Sequence, residues 1–348
     1  MKKLLVAMSG GVDSSVAAHL LLRDGYDCHG VMMRLLPQTT EASFSPAEEA
    51  AQAVAARLGI PFSVLPMEEE FRRTVMEYFV SSYEAGQTPN PCVACNRALK
   101  FGLLFRTARA MGLDGLATGH YARVQSTPSG TRLLLRAKDP KKDQSYFLWT
   151  LTQEVLSGVR FPLGELTKEE VRDLARESGF SNAETRDSQD VCFLPDGDYA
   201  AFLEAYRGHA YPSGNFVDRE GRVLGTHKGM IRYTVGQRKG LGLAFGVPTY
   251  VISKDAGRNL VRLGSNEELF SSELEAHDAH WILSDPPAHP RRVTARIRHH
   301  APDVPAEVVA TDEGCFRVRF DTPQRAVCPG QSVVLYDGDV VLGGGIIC

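Results

Sequence analysis

The first half of the chain alternates short apolar runs with amphipathic stretches, which is the pattern of strands followed by helices. Apolar runs predict strands at residues 2–9, 28–34, 62–65 and 115–118, and longer stretches predict helices at 13–23, 46–58, 67–83 and 95–111. Helical character continues over 144–156 and 167–178, where Thr167 and Glu170 have the spacing of a capping box. This order predicts an α/β domain with a parallel, doubly wound sheet.

Ligands of such sheets bind where the strands end at their carboxyl side. Here those ends carry residues 9–14, 32–34 and 118–120, the last of which reads Thr118-Gly119-His120. We therefore expect three segments that are distant in sequence to converge on one ligand. Residues 38–46, which follow the second of these segments, are predicted to form a mobile loop.

The pattern changes after Tyr206. Residues 208–264 are rich in glycine and β-branched residues in short runs, which indicates a small β-containing unit. From about Trp281 the chain predicts closely spaced strands at 292–298, 306–310, 315–320, 332–336 and 340–347, as in a small barrel. The chain is therefore predicted to divide into a catalytic domain at 1–207, a central domain at 208–275 and a C-terminal β-barrel at 276–348.

The overall composition, with 43% hydrophobic and 23% charged residues, is that of a globular domain protein. No apolar run is long enough to span a membrane, and there is no room for a cleaved signal before the first strand. The seven cysteines are odd in number and scattered, which excludes a disulfide framework and favours a cytoplasmic location.

The net charge of −3 does not by itself point to a nucleic-acid partner, but two local windows do. No acidic residue lies between Glu220 and Asp255 or between Asp285 and Asp303. The basic residues of these windows are Arg222, Lys228, Arg232, Arg238, Lys239, Lys254, Arg291, Arg292, Arg296 and Arg298. Phosphates are expected to bind at such windows, although a solvent-exposed basic face without a nucleic-acid partner would give the same sequence pattern.

The segment Ser9-Gly10-Gly11-Val12-Asp13-Ser14 lies between the first strand and the first helix. A helix N-terminus with free N–H groups and neighbouring glycines is suited to a phosphate. The chain has no Walker motif, and this loop contains no lysine. The segment resembles the PP-loop of ATP pyrophosphatases, whereas the simplest alternative is a glycine turn before a core helix.

Three cysteines stand in polar surroundings. Cys92 and Cys95 follow the proline-rich stretch 88–91, and Cys192 follows the polar stretch 186–191. Cys95 was expected at a helix N-terminus near Arg97 and Lys100, which would lower its pKa. A zinc half-site at Cys92 and Cys95, and a [4Fe–4S] cluster on all three cysteines, are the alternatives. Cys28, on a predicted strand, is expected to be a core residue.

Several further motifs occur in order along the whole chain. They are Thr88–Asn96, Ala117–Ala122, Lys142–Leu148, Asp187–Gln189 with Cys192-Phe193, Thr234–Arg238, Pro329–Gln331 and Gly343–Ile347. With the segment 9–14, they resemble the tRNA-uridine 2-sulfurtransferase family, also called tRNA 2-thiouridylases. The resemblance implies a PP-loop catalytic domain (Rossmann-like, with a doubly wound parallel sheet), a small central domain and a C-terminal β-barrel that contacts tRNA.

The resemblance also implies roles for individual residues. ATP would be bound by Ala7, Met8, Ser9, Gly10, Gly11, Val12, Asp13, Ser14, Met33 and Gly119, and Mg2+ is expected with it. Cys192 would carry a persulfide and Cys95 would be its nucleophilic partner. The target base would meet Asn90, Pro91 and Cys92. The remaining tRNA contacts would be His120, Lys142, Asp143, Gln144, Arg298, His299 and Gln331.

Two positions depart from the family pattern. Some members have aspartate where Cys92 stands, so a proton-transfer role there is in doubt for this chain. Where an Arg-Tyr pair is common, the chain has Arg298-His299, and the imidazole is the candidate stacking ring.

The reaction implied by the resemblance is ATP-dependent 2-thiolation of a wobble uridine in tRNA. ATP adenylates the uracil O2, so that AMP becomes the leaving group when a persulfide sulfur attacks C2. The expected partners are tRNAs of the Lys, Glu and Gln acceptors and a persulfide donor such as a cysteine desulfurase or a sulfur-relay protein. The alternatives are a [4Fe–4S]-dependent thiolase, a PP-loop amidotransferase or ligase for a small molecule, and an RNA-binding protein without activity.

Overall fold

A computed structural model of the chain describes residues 1–37, 45–185, 191–194, 197–243, 246–283 and 286–348. The predicted loop at 38–46 therefore lies largely outside the described residues. No helix among the described residues is long and apolar enough to cross a membrane.

The first sheet is parallel, with the strand order β3-β2-β1-β4-β7 in the described part of the chain. Its strands are β1 Lys3–Ala7, β2 Asp27–Arg34, β3 Phe62–Pro66, β4 Gly115–Thr118 and β7 Val159–Arg160. Leu4, Leu5 and Val6 of the central strand are fully or almost fully buried, because helices cover both faces of the sheet. The predicted doubly wound sheet is confirmed.

The helices of this domain begin and end as their capping residues require. They are α1 Val12–Arg23, α2 Pro46–Leu58, α3 Glu68–Phe71, α4 Glu77–Glu84, α5 Pro91–Cys95, α6 Phe105–Ala110, α7 Gln153–Gly158 and α8 Lys168–Glu177. Ser45 and Glu48 form a capping box before α2, and Gly59 ends that helix in the left-handed conformation. The predicted capping box of Thr167 and Glu170 starts α8.

Two of the predicted helices contain π-helical turns. One turn covers Arg72–Met76 between α3 and α4, and the other covers Asn96–Leu104 between α5 and α6. Extended π-helix is rare and is found mainly at functional sites. The second helical run begins at Pro91 rather than at the predicted residue 95, because Asn90 and Pro91 supply its start.

The predicted helix over 144–156 is wrong in its first half. The structure has a 3-10 turn at Ser145–Phe147, and α7 begins only at Gln153. The hydroxyl of buried Tyr146 donates to the Ser332 carbonyl, and Trp149 donates to the Ser332 hydroxyl. These contacts with a distant segment hold the chain in an irregular path that local periodicity does not reveal.

The central unit follows α9 Tyr199–Arg207 and contains a four-stranded sheet of the order β10-β11-β8-β9, counted over the described residues. Its strands are β8 Gly214–Val217, β9 Val223–His227, β10 Tyr250–Asp255 and β11 Leu260–Gly264. A small core around Phe216, Val251 and Val261 holds it together.

The C-terminal strands close into a barrel. They are β12 Phe270–Trp281, β13 Arg291–Arg296, β14 Val304–Ala310, β15 Phe316–Arg325, β16 Ser332–Asp337 and β17 Val340–Ile347, and pairing of β12 with both β15 and β17 closes the ring. The strand β12 was not predicted, because small buried residues such as Ala276 give a weak alternating signal.

A hairpin from the first domain extends this barrel. Its strands, β5 Arg123–Ser126 and β6 Arg132–Leu135, pair with each other, and Leu135 pairs with Val340 of β17. The hairpin was also missed by the sequence analysis, since its strands are only four residues long. It ties the barrel to the catalytic domain beside the end of β4.

Candidate active site

The glycine loop lies at the carboxyl end of β1, directly before α1. Gly10 has φ +77° and approaches α2 so closely that a Cβ atom would lie 2.4 Å from the Ala47 carbonyl oxygen. The Ser14 hydroxyl donates to the Gly11 carbonyl at 3.0 Å and accepts from the Ser9 N–H at 3.1 Å. The loop is thus held in one conformation by its own residues, with the N-terminus of α1 facing the edge of the sheet.

The end of β4 meets the same loop. A Cβ atom on Gly119 would lie 2.8 Å from the Ser14 nitrogen, so only glycine fits against this part of α1. Met8 and Val12 are buried beneath the loop. Met33, at the end of β2, packs against the core next to β1 and against the cluster that contains Cys95. The structure therefore brings together the three strand ends singled out in the sequence.

Asp13 is the acidic residue of the first turn of α1. Its Oδ1 accepts a hydrogen bond from the Tyr121 hydroxyl at 2.8 Å and an ion pair from Lys168 Nζ at 2.7 Å. Asn182 donates to the Gly10 carbonyl at 2.8 Å and supports the loop from the other side. The sequence does not assign Lys168 or Asn182 to the site. Only their contacts with Asp13 and Gly10 in the folded chain reveal their position.

The three cysteines of interest lie near one another, although they come from separate segments. Cys92 and Cys95 are on α5; Cys92 is exposed and Cys95 is 8% exposed. Phe193 inserts its ring between Phe71 and Phe79 and shares a hydrophobic cluster with Cys95, which anchors the neighbouring, exposed Cys192. Residues 186–190 of the same motif lie outside the described residues.

Burial determines the acidity of these thiols. It raises the pKa of Cys192 to about 11, and the charges of Cys95 and Cys92 add to this rise. Burial also raises the pKa of Cys95 and of Cys92. The lowered pKa expected for Cys95 is therefore wrong, because Cys95 ends α5 inside the core instead of standing at a helix N-terminus.

Lys100 is the positive charge that opposes this effect at all three cysteines. It lowers the pKa of Cys92, of Cys95 and of Cys192, against the larger effect of burial. It also contributes to a pKa of His120 well below the usual range, where burial is again the larger cause. The charge of Lys100 thus acts on the three cysteines and on His120, which follows Gly119 after the end of β4.

The second π-helical turn explains how Lys100 reaches this position. Lys100 is five residues after Cys95, and in a π-helix residues five apart share a face of the helix. Gly102 lies in the same turn, where a Cβ atom would lie 2.7 Å from the Arg97 carbonyl oxygen, so this position has no room for a side chain. The charge of Lys100 acts on Cys95 and on the two other cysteines from this turn.

Metal binding by the cysteines was the main alternative. Among the described residues, no group of three or more His, Cys, Asp or Glu side chains is arranged to hold a metal ion. This finding concerns a single metal ion, and the [4Fe–4S] alternative, whose iron atoms are each held by a separate cysteine, stays open.

The segment expected to meet the target base is braced by the barrel. The Gln331 side chain donates to the Thr88 carbonyl at 2.9 Å, and the Thr88 N–H donates to the Pro329 carbonyl at 2.8 Å. Asn90 follows this brace and begins α5, with Pro91 buried and Cys92 exposed. Gln331 thus supports the loop that carries Asn90.

The expected tRNA-contact residues have different surroundings. Asp143 is 5% exposed, and its carboxylate accepts from the Ala137 N–H and from the Ser145 N–H and hydroxyl. It also faces Arg136 and Arg296 at 3.5 and 3.7 Å. The Asp143 carboxylate is therefore buried and engaged within the protein, and its contact with tRNA stays a prediction.

The neighbours of Asp143 build a small polar surface. Gln144 accepts from the Tyr121 N–H at 2.9 Å, and Lys142 is partly exposed. The His299 ring lies 4.4 Å from the Phe147 ring, and Arg298 donates to the backbone carbonyls of residues 325 and 326. His120, which pairs with the Thr118 hydroxyl at 2.7 Å, lies further inside, against Phe101 and Phe161.

The two basic windows are not free of acids in space. Arg292 pairs with Asp321 at 2.6 Å, Arg296 with Asp303 at 2.8 Å and Arg222 with Asp218 at 2.6 Å. Neighbouring strands and turns thus supply acids to these three arginines, and phosphate binding at the two windows stays a prediction. Arg298 has backbone carbonyls as its partners instead of a carboxylate.

The chain is similar to known proteins along its whole length. Residues 2–196 match the tRNA methyl transferase HUP domain, residues 200–265 the tRNA methyl transferase PRC-barrel domain, and residues 271–347 the Aminomethyltransferase beta-barrel domain. The tRNA-specific 2-thiouridylase MnmA of Acetivibrio thermocellus is 47% identical over 356 residues, covering 99% of both chains. The protein of the same name from Geobacter metallireducens is 48% identical over 359 residues, covering 99% of this chain and 96% of that protein.

Similarity to solved structures is more distant. A 4-thiouridine synthetase in complex with RNA and ATP aligns with 59% of this chain and 50% of its own, at 18% identity and a TM-score of 0.39. This level of similarity supports no conclusion about function.

Proposed function

Because the chain belongs to the tRNA-specific 2-thiouridylase family, we propose that it forms 2-thiouridine at the wobble position of tRNA in an ATP-dependent reaction. The observation that supports this most strongly is the meeting of two different chemical ends in one domain. The glycine loop before α1 is suited to phosphates. The same domain holds Cys95 and Cys192, where the charge of Cys95 acts on Cys192 and the charge of Lys100 acts on both.

The nucleotide end activates the base. The N-terminus of α1, with Gly10 and Gly119 close to it, receives the phosphates of ATP. Mg2+ would be held by Oδ2 of the partly exposed Asp13 carboxylate, since Tyr121 and Lys168 contact Oδ1, and it would screen the phosphate charge. The uracil O2 attacks the α-phosphorus, pyrophosphate leaves, and C2 then carries AMP as its leaving group.

The sulfur end replaces AMP. The terminal sulfur of a Cys192 persulfide attacks C2 and expels AMP, which leaves the base joined to Cys192 through a disulfide. Cys95 then attacks the Cys192 sulfur, forms a Cys95–Cys192 disulfide and releases the 2-thiouridine. A dithiol reductant returns both cysteines to the thiol form, and a persulfide donor reloads Cys192.

The surroundings of the thiols suit this sequence of steps. Desolvation raises the pKa of buried Cys95 and of Cys192, although Cys192 reaches the surface, and a raised pKa favours the protonated, less reactive thiol. Lys100 then stabilises each sulfur anion as it forms, in a place where water is partly excluded. The base must leave its stack to reach this site.

The rest of the chain is proposed to bind the tRNA and to support the segment that carries Asn90. We propose a catalytic domain at 1–207, a central domain at 208–275 and a barrel at 276–348, whose residue Gln331 supports the segment that meets the base. Lys142, Gln144, Arg298 and His299 are the proposed tRNA contacts. The proposed partners are the Lys, Glu and Gln tRNAs and a cysteine desulfurase or sulfur-relay protein. Seven free cysteines fit a cytoplasmic setting.

The test combines the protein with ATP, a persulfide donor and unmodified tRNA, followed by nucleoside analysis and measurement of AMP. We expect 2-thiouridine and AMP in equal amounts, and activity should persist in Cys92→Asp and Cys92→Ser. If loss of Cys92 is as damaging as loss of Cys95 or Cys192, and active protein contains stoichiometric iron, the cluster-dependent mechanism replaces the persulfide mechanism.

A further inference from the structure

The glycine loop contains no lysine of its own, yet the structure places one beside it. The ammonium of Lys168 lies 2.7 Å from Oδ1 of Asp13, which is 155 positions away in sequence. The Lys168 side chain is only 11% exposed, so this cation is largely withdrawn from water. A buried lysine is costly unless its charge has a partner at the site.

The position of Lys168 is fixed by three separate contacts. It is the first residue of α8, directly after the N-cap Thr167, and its backbone N–H donates to the Asp139 carboxylate at 3.1 Å. Its ammonium lies 6.0 Å from the centre of the Tyr121 ring. The Tyr121 hydroxyl donates to the same Asp13 oxygen at 2.8 Å. One carboxylate oxygen therefore receives two donors from distant segments.

This arrangement answers an electrostatic problem of the loop. A triphosphate bound at the N-terminus of α1 comes close to the Asp13 carboxylate, and the two anions repel each other. An ammonium at this position cancels the Asp13 charge. It also adds attraction for the phosphate groups, in surroundings that screen charge less than water does.

We propose that Lys168 is the cation of the nucleotide loop, which neutralises Asp13 and pairs with the β- and γ-phosphates of ATP. The inference rests on the proposed function, in that ATP is the nucleotide that the loop binds. It assigns to α8 the task that a lysine inside the loop performs in Walker-type sites. The contrasting interpretation is a purely structural tie between α8 and α1.

The two interpretations predict different losses of ligand affinity when Lys168 is replaced. If Lys168 pairs with the β- and γ-phosphates, Lys168→Met weakens binding of ATP and of inorganic pyrophosphate, while AMP binds as before. A structural tie would weaken ATP and AMP together. Lys168→Arg keeps the charge and should retain most of the ATP affinity.

The experiment is calorimetric titration of the full-length protein with ATP, pyrophosphate and AMP. We expect Lys168→Met to weaken ATP and pyrophosphate by about 10- to 100-fold and AMP by less than about twofold. Lys141→Met removes an exposed lysine close in sequence and serves as the control, with unchanged ATP affinity. Unchanged ATP binding in Lys168→Met, or equal losses for ATP and AMP, would overturn the proposal.

A second comparison covers the case in which Lys168→Met fails to fold because Asp13 is left as an unpaired charge. The double variant Asp13→Asn, Lys168→Met removes both charges, and it should bind pyrophosphate about tenfold more weakly than Asp13→Asn alone. Equal affinity of the two variants would refute the role of Lys168. If the wild-type protein itself does not bind ATP, the proposed function fails, and that outcome is distinct from a failure of the Lys168 variants alone.

Discussion

The nucleotide loop and the cysteine region are built in opposite ways. The loop is contiguous in sequence, and its serines hold its backbone through bonds that span only a few residues. The cysteine region joins α5 to a segment around Cys192, and Cys95 and Phe193 pack in one hydrophobic cluster while Cys92 and Cys192 are exposed. The loop is ready for an anion, whereas burial keeps the thiols neutral.

The difference shows how charge is controlled at each end of the site. Asp13 has Lys168 as a direct partner at 2.7 Å, so the loop is neutralised before ATP arrives. Lys100 influences three thiols through space, and burial still outweighs it at each of them. The nucleotide end is therefore organised for binding, and the sulfur end is organised to form an anion only during reaction.

The largest expected effect is a separation of the two half-reactions. Asp13→Ala should abolish AMP and pyrophosphate formation by about 10³-fold or more, while Cys192 still accepts sulfur. Cys192→Ser and Cys95→Ser should abolish release of 2-thiouridine to a similar extent and still form pyrophosphate when tRNA is present. In Cys192→Ser the AMP stays on the base, whereas Cys95→Ser releases AMP and leaves the base joined to Cys192 through a disulfide. Radiolabelled ATP turnover and nucleoside analysis check this. Loss of both half-reactions in each variant would show that the two ends are not separable.

A smaller effect is expected when Lys100 loses its charge. Lys100→Met should slow single-turnover sulfur transfer by about 10- to 100-fold, because a forming sulfur anion loses its nearby cation. ATP affinity should change little, and Arg106→Met, an exposed change on the same helical run, serves as the control. Equal rates in Lys100→Met and in the control would remove Lys100 from the chemistry.

The neutral thiols also predict a pH dependence. Because burial raises the pKa of Cys192 to about 11, its thiolate fraction at neutral pH is small and grows about tenfold per pH unit. Alkylation of Cys192 by iodoacetamide, followed by mass spectrometry, should therefore keep accelerating from about pH 7 to pH 10. A plateau near pH 8 would mean that the thiol has ordinary acidity.

The smallest effect distinguishes two arginines of the barrel. Arg298→Gln should weaken tRNA binding and reduce the salt dependence of log K by about one unit of slope, as for one lost phosphate contact. Arg292→Gln should change little, because Arg292 is already paired with Asp321 at 2.6 Å. Filter binding over a range of salt concentrations checks both, and equal slopes for the two variants would argue against Arg298 as a phosphate contact.

The parts of the fold that depend on local pattern were predictable. The parallel sheet, the capping box of α8 and the glycine loop follow from periodicity and capping residues. The π-helical turn after Cys95 was not predictable, because the hydrophobic period of an α-helix does not distinguish it. The hairpin β5–β6 was missed because its strands gain their stability from the barrel.

Charge was the least predictable property of the site. The sequence window around Arg292 and Arg296 lacks acids, but β15 and the turn after β13 supply Asp321 and Asp303. Asp143 belongs to a motif of polar residues, yet it is buried as the centre of a hydrogen-bond network. The same limit concealed Lys168, whose place beside Asp13 follows only from the packing of α8 against α1.

Sulfur transfer from a Cys192 persulfide is tested most directly by a single turnover with isotopically labelled sulfur on Cys192. The protein is loaded with the labelled persulfide, treated with an iron chelator and mixed with ATP and unmodified tRNA. The persulfide mechanism predicts labelled 2-thiouridine and AMP in amounts equal to the persulfide consumed, with the chelator having no effect. AMP without labelled 2-thiouridine, or loss of transfer after removal of iron, would contradict it.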